Sequence, residues 1–338
     1  MRTLDELEQA MTKPSTKLIE DMKNIEGDLM LLGVGGKMGP SLAKLAMNAI
    51  REAGVNKKVY GVSRFSEPGL QDELERCGLE TIVCDLLDDA SLQTLPDVSN
   101  VIYMAGTKFG TTGNEHLTWA MNAYLPGRVA EKYRSSRIVV FSTGNVYPLS
   151  PIHSGGATED FAPAPVGEYG QSCLGRERVF EFFSRRSRTP MLMYRLNYAI
   201  DMRYGVLLEL AKSVKDGRPI DLAMGHFNCI WQGDANEIAL RSLLRCESPV
   251  NRLNVTGPET VSVRYAAAEL GKRLGMKPEF TGREAETALL SNASKCMRLF
   301  GYPGVSLLQM IDWTAEWAAH GGATIDKPTH FQQREGKF

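Results

Sequence analysis

The 338-residue sequence predicts an α/β fold, a doubly wound parallel sheet followed by a smaller, mixed C-terminal substrate lobe. Three observations carry this prediction. From Asp28 onward, short apolar runs alternate with amphipathic helical stretches, the pattern of successive βαβ units. The first of these runs enters a glycine-rich loop that opens a helix, as in Rossmann-type sheets. With 43% apolar and 23% charged residues, the chain is also long enough to bury a sizeable core.

Residues 1–27 place Leu4, Leu7 and Met11, then Leu18, Ile19, Met22 and Ile25, at helical spacing. They predict one or two short amphipathic helices, a strap packed on the domain or on a dimer partner. Strands follow at 29–32, 58–62, 81–84, 100–104 and 138–142, with helices near 40–54, 69–77, 89–94 and 115–134. A long helix at 169–185 precedes an apolar strand at 191–194. Residues 28–190 are assigned to the Rossmann domain, with later strands returning to it, and 191–321 mainly to the substrate lobe. The lobe is expected to contain 251–256, a helix at 263–274 and a helix at 307–321, and 322–338 reads as a weakly structured tail.

Bulk charge excludes some functions. A net charge of -1 and a pI near 6.6 give no overall attraction for nucleic acid or anionic lipid. The short basic stretch 184–188 reads as a solvated helix end. No apolar stretch approaches the roughly 20 residues of a membrane span, and the first residues lack a signal-peptide core, so a cytoplasmic protein is expected. The six cysteines form no Cys-x-x-Cys pair and no clustered Cys/His spacing suggests a metal, so neither zinc nor disulfides are expected.

The loop Gly33-Val34-Gly35-Gly36-Lys37-Met38-Gly39 lies between a strand and a helix. Glycines there let the backbone approach a pyrophosphate at a helix N-terminus, where unpaired amides and the helix dipole favour negative charge. Gly33, Gly36, Lys37, Met38 and Gly39 are therefore candidate cofactor contacts. The second strand ends in Ser63-Arg64, where NAD-specific proteins usually place an acid. Arg64 facing a 2′-phosphate, with Ser63 as a further donor, favours NADP over NAD; the alternative is that Arg64 stacks on adenine or is solvated. Asp85, followed by Leu86, is placed to receive the adenine amino group, although an aspartate opening a loop is also an ordinary turn residue.

Further motifs follow in order: Met104-Ala105-Gly106, Asn122, Phe141-Ser142-Thr143-Gly144-Asn145-Val146-Tyr147, Thr158-Glu159-Asp160, Tyr169 and Arg195-Leu196-Asn197. Over roughly residues 29–320 their order and spacing resemble the extended short-chain dehydrogenase/reductase group, the NAD-dependent epimerase/dehydratase family. The loop also resembles that of dihydrodipicolinate reductases, but their His-His and Lys-rich segment has no match here. The family resemblance implies that Met104, Ala105, Gly106 and Asn122 lie at the cofactor. It also implies that Thr143 polarises the substrate oxygen, that Tyr169 transfers a proton, and that Asn145 and Asn197 position substrate. It further implies a homodimer through the helices at 115–134 and 169–185.

The sequence departs from that pattern at Tyr169-Gly170-Gln171-Ser172-Cys173, where Cys173 stands in the place of the family's lysine beside the cofactor ribose. Acid–base work near neutral pH needs the phenol pKa of about 10 lowered by positive charge and hydrogen bonds. Cys173 is expected to fill the lysine's space, as a candidate cofactor contact, rather than to act as a nucleophile. Lys108 is the expected substitute cation, while Arg176, two turns along the helix, is expected to face solvent or a neighbouring carboxylate. The loop 108–114 is either a wall of the substrate site or a plain surface loop.

A second departure falls on the substrate side. Aligning Ile230-Trp231-Gln232-Gly233-Asp234 to the family pattern puts Phe227 where nucleotide-sugar members carry an arginine for the diphosphate, and neighbouring His226 is a poorer bidentate partner. A free sugar, sugar acid or polyol is therefore expected over a nucleotide sugar, with Trp231 stacking on its apolar face. The expected activity is that of an NAD(P)-dependent oxidoreductase or epimerase. The alternatives are a catalytically inactive NAD(P)-binding sensor or structural partner, and a nucleotide-sugar epimerase/dehydratase.

Overall fold

The structure is a computed structural model that describes every residue except 109, 111, 326–328, 337 and 338. Two helices come first, α1 (Leu4–Thr12) and α2 (Thr16–Asn24). A capping box between Thr3 and Glu6 starts α1, and the Ser15 hydroxyl caps α2. They pack on their own chain, as a strap. Their anchors are a helix α3 (Gly39–Ala53), whose Asn48 donates to the Thr12 carbonyl at 2.9 Å, and residues of a later helix: Ser15 donates to Glu237 at 2.6 Å and Arg241 to Asp21 at 2.7 Å.

The central sheet is built from seven parallel strands: β1 (Leu29–Leu32), β2 (Val59–Ser63), β3 (Glu80–Val83), β4 (Asn100–Tyr103), β5 (Arg137–Thr143), β6 (Met191–Leu196) and β7 (Asn251–Val255). Their spatial order is β7-β6-β5-β4-β1-β2-β3. Parallel pairing requires long crossovers, and helices supply them on both faces, so the inner strands are apolar throughout rather than alternating. In β1, Leu29 and Leu31 join a core with Leu42, Leu45 and Ala46 of α3, while Met30 and Leu32 face Tyr103, Leu125 and Val129 on the other side. The run 251–256, expected in the lobe, is instead the sheet's edge strand, paired with β6 from Asn251 opposite Leu192 to Val255 opposite Leu196.

Helices α4 (Leu70–Arg76) and α5 (Asp89–Thr94) follow β2 and β3. The predicted helix at 115–134 is not uniform: α6 (Glu115–Trp119) passes through a π-helical turn, Ala120–Tyr124, into α7 (Leu125–Lys132). Such turns recur at functional sites. The long α8 (Gly167–Ser187) precedes β6.

The smaller lobe holds α9 (Val206–Lys215), α10 (Gln232–Arg241), α11 (Val263–Leu274), α12 (Ser294–Phe300) and α13 (Leu307–Ala319), with pairs of two-residue strands between them. Helices α9, α10 and α12 are not among the predicted elements. Helix α9 is amphipathic, with Glu209, Lys212 and Lys215 among its apolar residues, while α10 starts directly from the strand Ile230–Trp231 with no turn residue between them, which blurs the periodicity there. The tail also differs from expectation. Thr329 and Phe331 are each 1% exposed, Phe331 packs edge-on against Phe227, and Arg334 donates to the carbonyls of Ala223 and Thr287. No helix among the described residues is long and apolar enough to cross a membrane.

Candidate active site

Leu32 of β1 lies beside Tyr103 of β4, so the glycine loop and Met104-Ala105-Gly106 leave the sheet side by side. This is where the strand order reverses, the position at which open α/β sheets form a ligand crevice. The loop needs its glycines. Gly33 has φ +92°, and a Cβ there would come within 2.8 Å of the Ala105 nitrogen; a Cβ on Gly39 would overlap the Val34 carbonyl. The α3 N-terminus carries no side-chain cap, and the amides of Lys37 and Met38 make no backbone hydrogen bond among the described residues. The loop thus fits a pyrophosphate, with these amides and the start of α3 as its donors.

A cavity of about 240 Å³ opens from this loop toward the smaller lobe. Of the sequence-predicted residues, Lys37, Met38, Met104 and Gly106 line its cofactor side. Thr143, Asn145, Tyr169, Asn197 and Lys108 line the rest. Thr143 ends β5 and Tyr169 lies in the first turn of α8; the Thr143 hydroxyl is close enough to that of Tyr169 to favour its ionised form. Asn145 holds Thr143 in place, donating to its hydroxyl from the amide side chain at 3.0 Å and from the backbone at 3.2 Å. Asn197 donates to Asn228 at 2.8 Å and so fixes the end of β6 to the lobe.

Asn122 sits in the π-turn, behind the cavity wall rather than on it. Its Oδ1 accepts from the Thr107 amide at 2.9 Å and its Nδ2 donates to the Thr107 carbonyl at 2.9 Å and to Ser172 at 3.0 Å. With its side chain fully used, Asn122 positions the strand-to-helix loop and has no donor left for a cofactor.

Arg176 overturns the expectation of a solvated side chain. Only 6% exposed, it donates from Nη1 to the Phe141 carbonyl at 2.7 Å and from Nη2 to Asn122 Oδ1 at 2.6 Å. It does not reach back along α8 but sideways, under Gly106, where a Cβ would overlap the guanidinium. Its charge favours the ionised form of Tyr169. Lys108 is close as well, with Nζ 6.0 Å from the Tyr169 ring centroid and donating to the Thr329 carbonyl at 3.4 Å. Arg176, whose part here was not expected, is the cation that acts on the Tyr169 phenol, and Lys108 stands beside the ring. Arg176 had one legible signal, its i+7 position on the helix face of Tyr169.

Cys173 is fully buried behind Tyr169, packed with Val146, Tyr147 and Ala157, and is absent from the cavity wall. It fills the lysine's space, as expected, but its assignment as a cofactor contact is corrected. Burial raises the Tyr169 pKa most, the neighbouring thiol raises it further, and Arg176 and the Thr143 hydroxyl oppose them. Burial likewise raises the Cys173 pKa, so the thiol stays protonated.

Four other assignments change or stay open. Phe227 and Trp231 do not touch the cavity: each is buried in the lobe core, Phe227 against Phe331 and Trp231 against Trp313 at 5.3 Å. Leu86 belongs to the sheet core rather than to a cofactor surface. Ser63 accepts from the Phe65 amide at 3.3 Å beside Gly35, Arg64 is exposed, and Asp85 accepts from the Leu87 amide at 3.0 Å, the geometry of a turn. The loop 108–114 contributes Lys108 to the wall; its residues 109 and 111 lie outside the described ones. No group of His, Cys, Asp or Glu among the described residues could hold a metal ion.

The sheet order, the glycine loop at the strand reversal and the returning edge strands give the Rossmann-type fold that the resemblance implied. No protein-family model and no curated protein matches the sequence. Solved structures do share the fold. UDP-glucuronic acid 4-epimerase from Bacillus cereus in complex with NAD is 18% identical, with a TM-score of 0.70 over 88% of this chain and 99% of its own. UDP-glucose 4-epimerase from Thermus thermophilus, also with NAD, is 18% identical, with a TM-score of 0.68 over 88% and 100%. A putative epimerase from Burkholderia cenocepacia is 20% identical, with a TM-score of 0.69 over 87% and 98%. At these identities the likeness is one of fold.

Proposed function

We propose that the protein is an NAD-dependent epimerase or oxidoreductase acting on a secondary alcohol of a nucleotide-activated sugar. The observation that carries this is that Tyr169 and Thr143 line the same cavity as Lys37 and Met38 of the glycine loop. When bound, the nicotinamide supplies the acceptor and donor of a hydride. Tyr169 takes the hydroxyl proton from the carbinol as it becomes a ketone and returns it when the ketone is reduced. Thr143, held by Asn145, hydrogen-bonds the same substrate oxygen. Arg176 supplies the fixed positive charge that a lysine would supply in the family pattern.

The nucleotide sugar is favoured over the free sugar because the fold neighbours are UDP-sugar enzymes and because the cavity continues past Tyr204 and Gly205. There a second cleft is lined by Arg203, Lys212 and Arg218, side chains suited to phosphate oxygens even though Phe227 offers no clamp. NAD is favoured over NADP because the solved structures that share the fold hold NAD. One observation favours the smaller substrate: Thr329 of the docked tail stands on the cavity wall. A homodimer through α6, α7 and α8 remains our proposal, and the exposed Leu117, Tyr124 and Phe182 on these helices support it.

The test is incubation of purified protein with NAD and a panel of UDP-sugars, with epimer ratios read by NMR. Turnover that falls at least a hundredfold in Tyr169→Phe is expected. Absence of nicotinamide nucleotide binding overturns the proposal, and tight NAD binding without turnover of any sugar gives the chain to the inactive sensor or structural partner.

A further inference from the structure

The side chains that meet in the cavity come from separate elements, and each of those elements also sends a residue into one buried polar network beneath the site. Ser142 precedes Thr143 at the end of β5, and Tyr147 follows Asn145 by two residues. Arg195 of β6 precedes Asn197 by two, and Glu177 lies eight residues beyond Tyr169 on α8, about 12 Å along the helix. Glu177 is the hub. Its Oε1 accepts from the Ser142 hydroxyl at 2.7 Å and from Arg195 Nε at 2.9 Å, and its Oε2 accepts from Arg195 Nη2 at 2.6 Å. Arg195 Nη1 donates to the Tyr147 hydroxyl at 2.5 Å, which donates in turn to Asn254 of β7 at 2.8 Å. Ser142 stands opposite Arg195 in the β5–β6 register, so one carboxylate of α8 spans both strands.

Glu177 and Arg195 are buried and neither lines the cavity. An ion pair so placed is a poor source of stability, because both ions lose their water and a well-packed apolar pair of similar volume does as well or better. What it supplies is direction. A bidentate guanidinium–carboxylate contact admits one arrangement of its two carriers, whereas apolar contacts keep a core folded while relaxing its uniqueness. Here the carriers are α8 and the strands beside it, and the rate of a reaction between groups they hold is sensitive to displacements on the order of 1 Å.

We propose that Glu177 and Arg195 are positioning residues of the reaction: their pair fixes α8 against β5 and β6 so that the Tyr169 and Thr143 hydroxyls reach one substrate oxygen. This rests on reading the cavity as a sugar-epimerase site. The pair touches neither substrate nor cofactor. Being neutral as a whole, it acts through geometry, where Arg176 acts through charge.

The experiment compares the NAD-loaded full-length protein with its Glu177→Met/Arg195→Met, Glu177→Gln and Arg195→Lys variants on UDP-glucuronic acid and UDP-glucose. A second readout needs no turnover: the carbon-13 signal of Tyr169 in protein labelled at the tyrosine Cζ, assigned with Tyr169→Phe. In the double Met variant kcat should fall about tenfold or more, with KM and NAD affinity within about twofold of native. Its thermal midpoint should stay close to native, and the Tyr169 signal should be displaced. The ascending limb of its pH–rate profile should keep its midpoint, since one neutral pair has replaced another. Arg195→Lys, which keeps the charge but not the planar fork, should lie between. Should the double variant not fold, Glu177→Gln read well below its own midpoint carries the same comparison. A Tyr169 signal that stays in place in a folded variant overturns the inference, and a native kcat does so while leaving the epimerase reading standing. A loss of NAD affinity as large as the loss of kcat also overturns it and gives the pair to the cofactor site. If the native protein turns over no UDP-sugar, the epimerase reading falls and the signal alone decides: displaced, it upholds the placing of Tyr169 by the pair.

Discussion

Arg176 Nη2 and Asn122 Oδ1 meet at 2.6 Å beneath Gly106, joining the long helix that carries Tyr169 to the π-turn before β5. The guanidinium is thus placed by backbone and amide partners rather than by a carboxylate, and its charge is not cancelled. Arg176→Met should lower kcat at least a hundredfold and move the ascending (acidic) limb of the pH–rate profile upward. Arg176→Lys should recover part of the rate. An unaltered profile in Arg176→Met would show that the guanidinium only supports the loop.

Cys173→Lys restores the family's Tyr-x-x-x-Lys spacing. Burial and the thiol now hold Tyr169 above the ordinary phenol range, so replacing the thiol by an ammonium lowers it. The ascending (acidic) limb of the profile should shift down by about one unit or more. The new ammonium is buried, so a lower thermal midpoint in the absence of NAD is also expected. A profile that stays put would mean that Arg176 and Lys108 already saturate the electrostatic help available to Tyr169.

Binding of an anionic ligand should take up protons. Lys37 near 7 and Lys108 near 8 lie below the ordinary lysine value of about 10.4, and negative charge brought beside them raises both. At pH 8 the calorimetric enthalpy should therefore change with the ionisation enthalpy of the buffer, in the sense of uptake, and affinity should weaken as pH rises through that range. For stability the sign is opposite. The unfolded chain binds more protons at these two lysines between about pH 7 and pH 10, so their contribution to stability rises with pH across that window. Proton release on binding would contradict both statements.

Beneath the site, Arg195 of β6 pairs with Glu177 of α8 through two bonds of 2.9 and 2.6 Å, and the same carboxylate accepts from Ser142 at 2.7 Å. Both partners are nearly excluded from solvent. Removing one member of such a pair leaves a buried charge, a loss of about 3–5 kcal/mol. Glu177→Gln should lower the denaturant midpoint accordingly at unchanged slope. A loss below about 1 kcal/mol would show the Arg195 charge to be satisfied by Tyr147 and backbone alone.

Much of this was readable from sequence. The strand runs and the glycine loop follow from local patterns, because parallel strands buried on both faces and loops that admit only glycine leave few alternatives, whereas Thr143 and Tyr169 were singled out by the family resemblance. Arg176 was not readable, since where a long side chain goes depends on what faces its helix, here a π-turn that shows no local signature. Trp231 and Phe227 went wrong for a related reason. An aromatic residue that packs a core and one that stacks on a sugar look the same in a sequence. The tail 329–336 is polar apart from Phe331, and it docks through single side chains and backbone groups that composition does not reveal.

That tail runs from Glu209 on α9, past the carbonyls of Ala223 and Thr287, to Gly336, whose backbone packs against Val166 and Gly167 at the start of α8. It therefore touches the lobe and the helix of Tyr169 at once, with Thr329 at the edge of the reaction chamber. A substrate that extends beyond the chamber on this side therefore meets Thr329, a residue held by Glu209 of the lobe and not by the sheet.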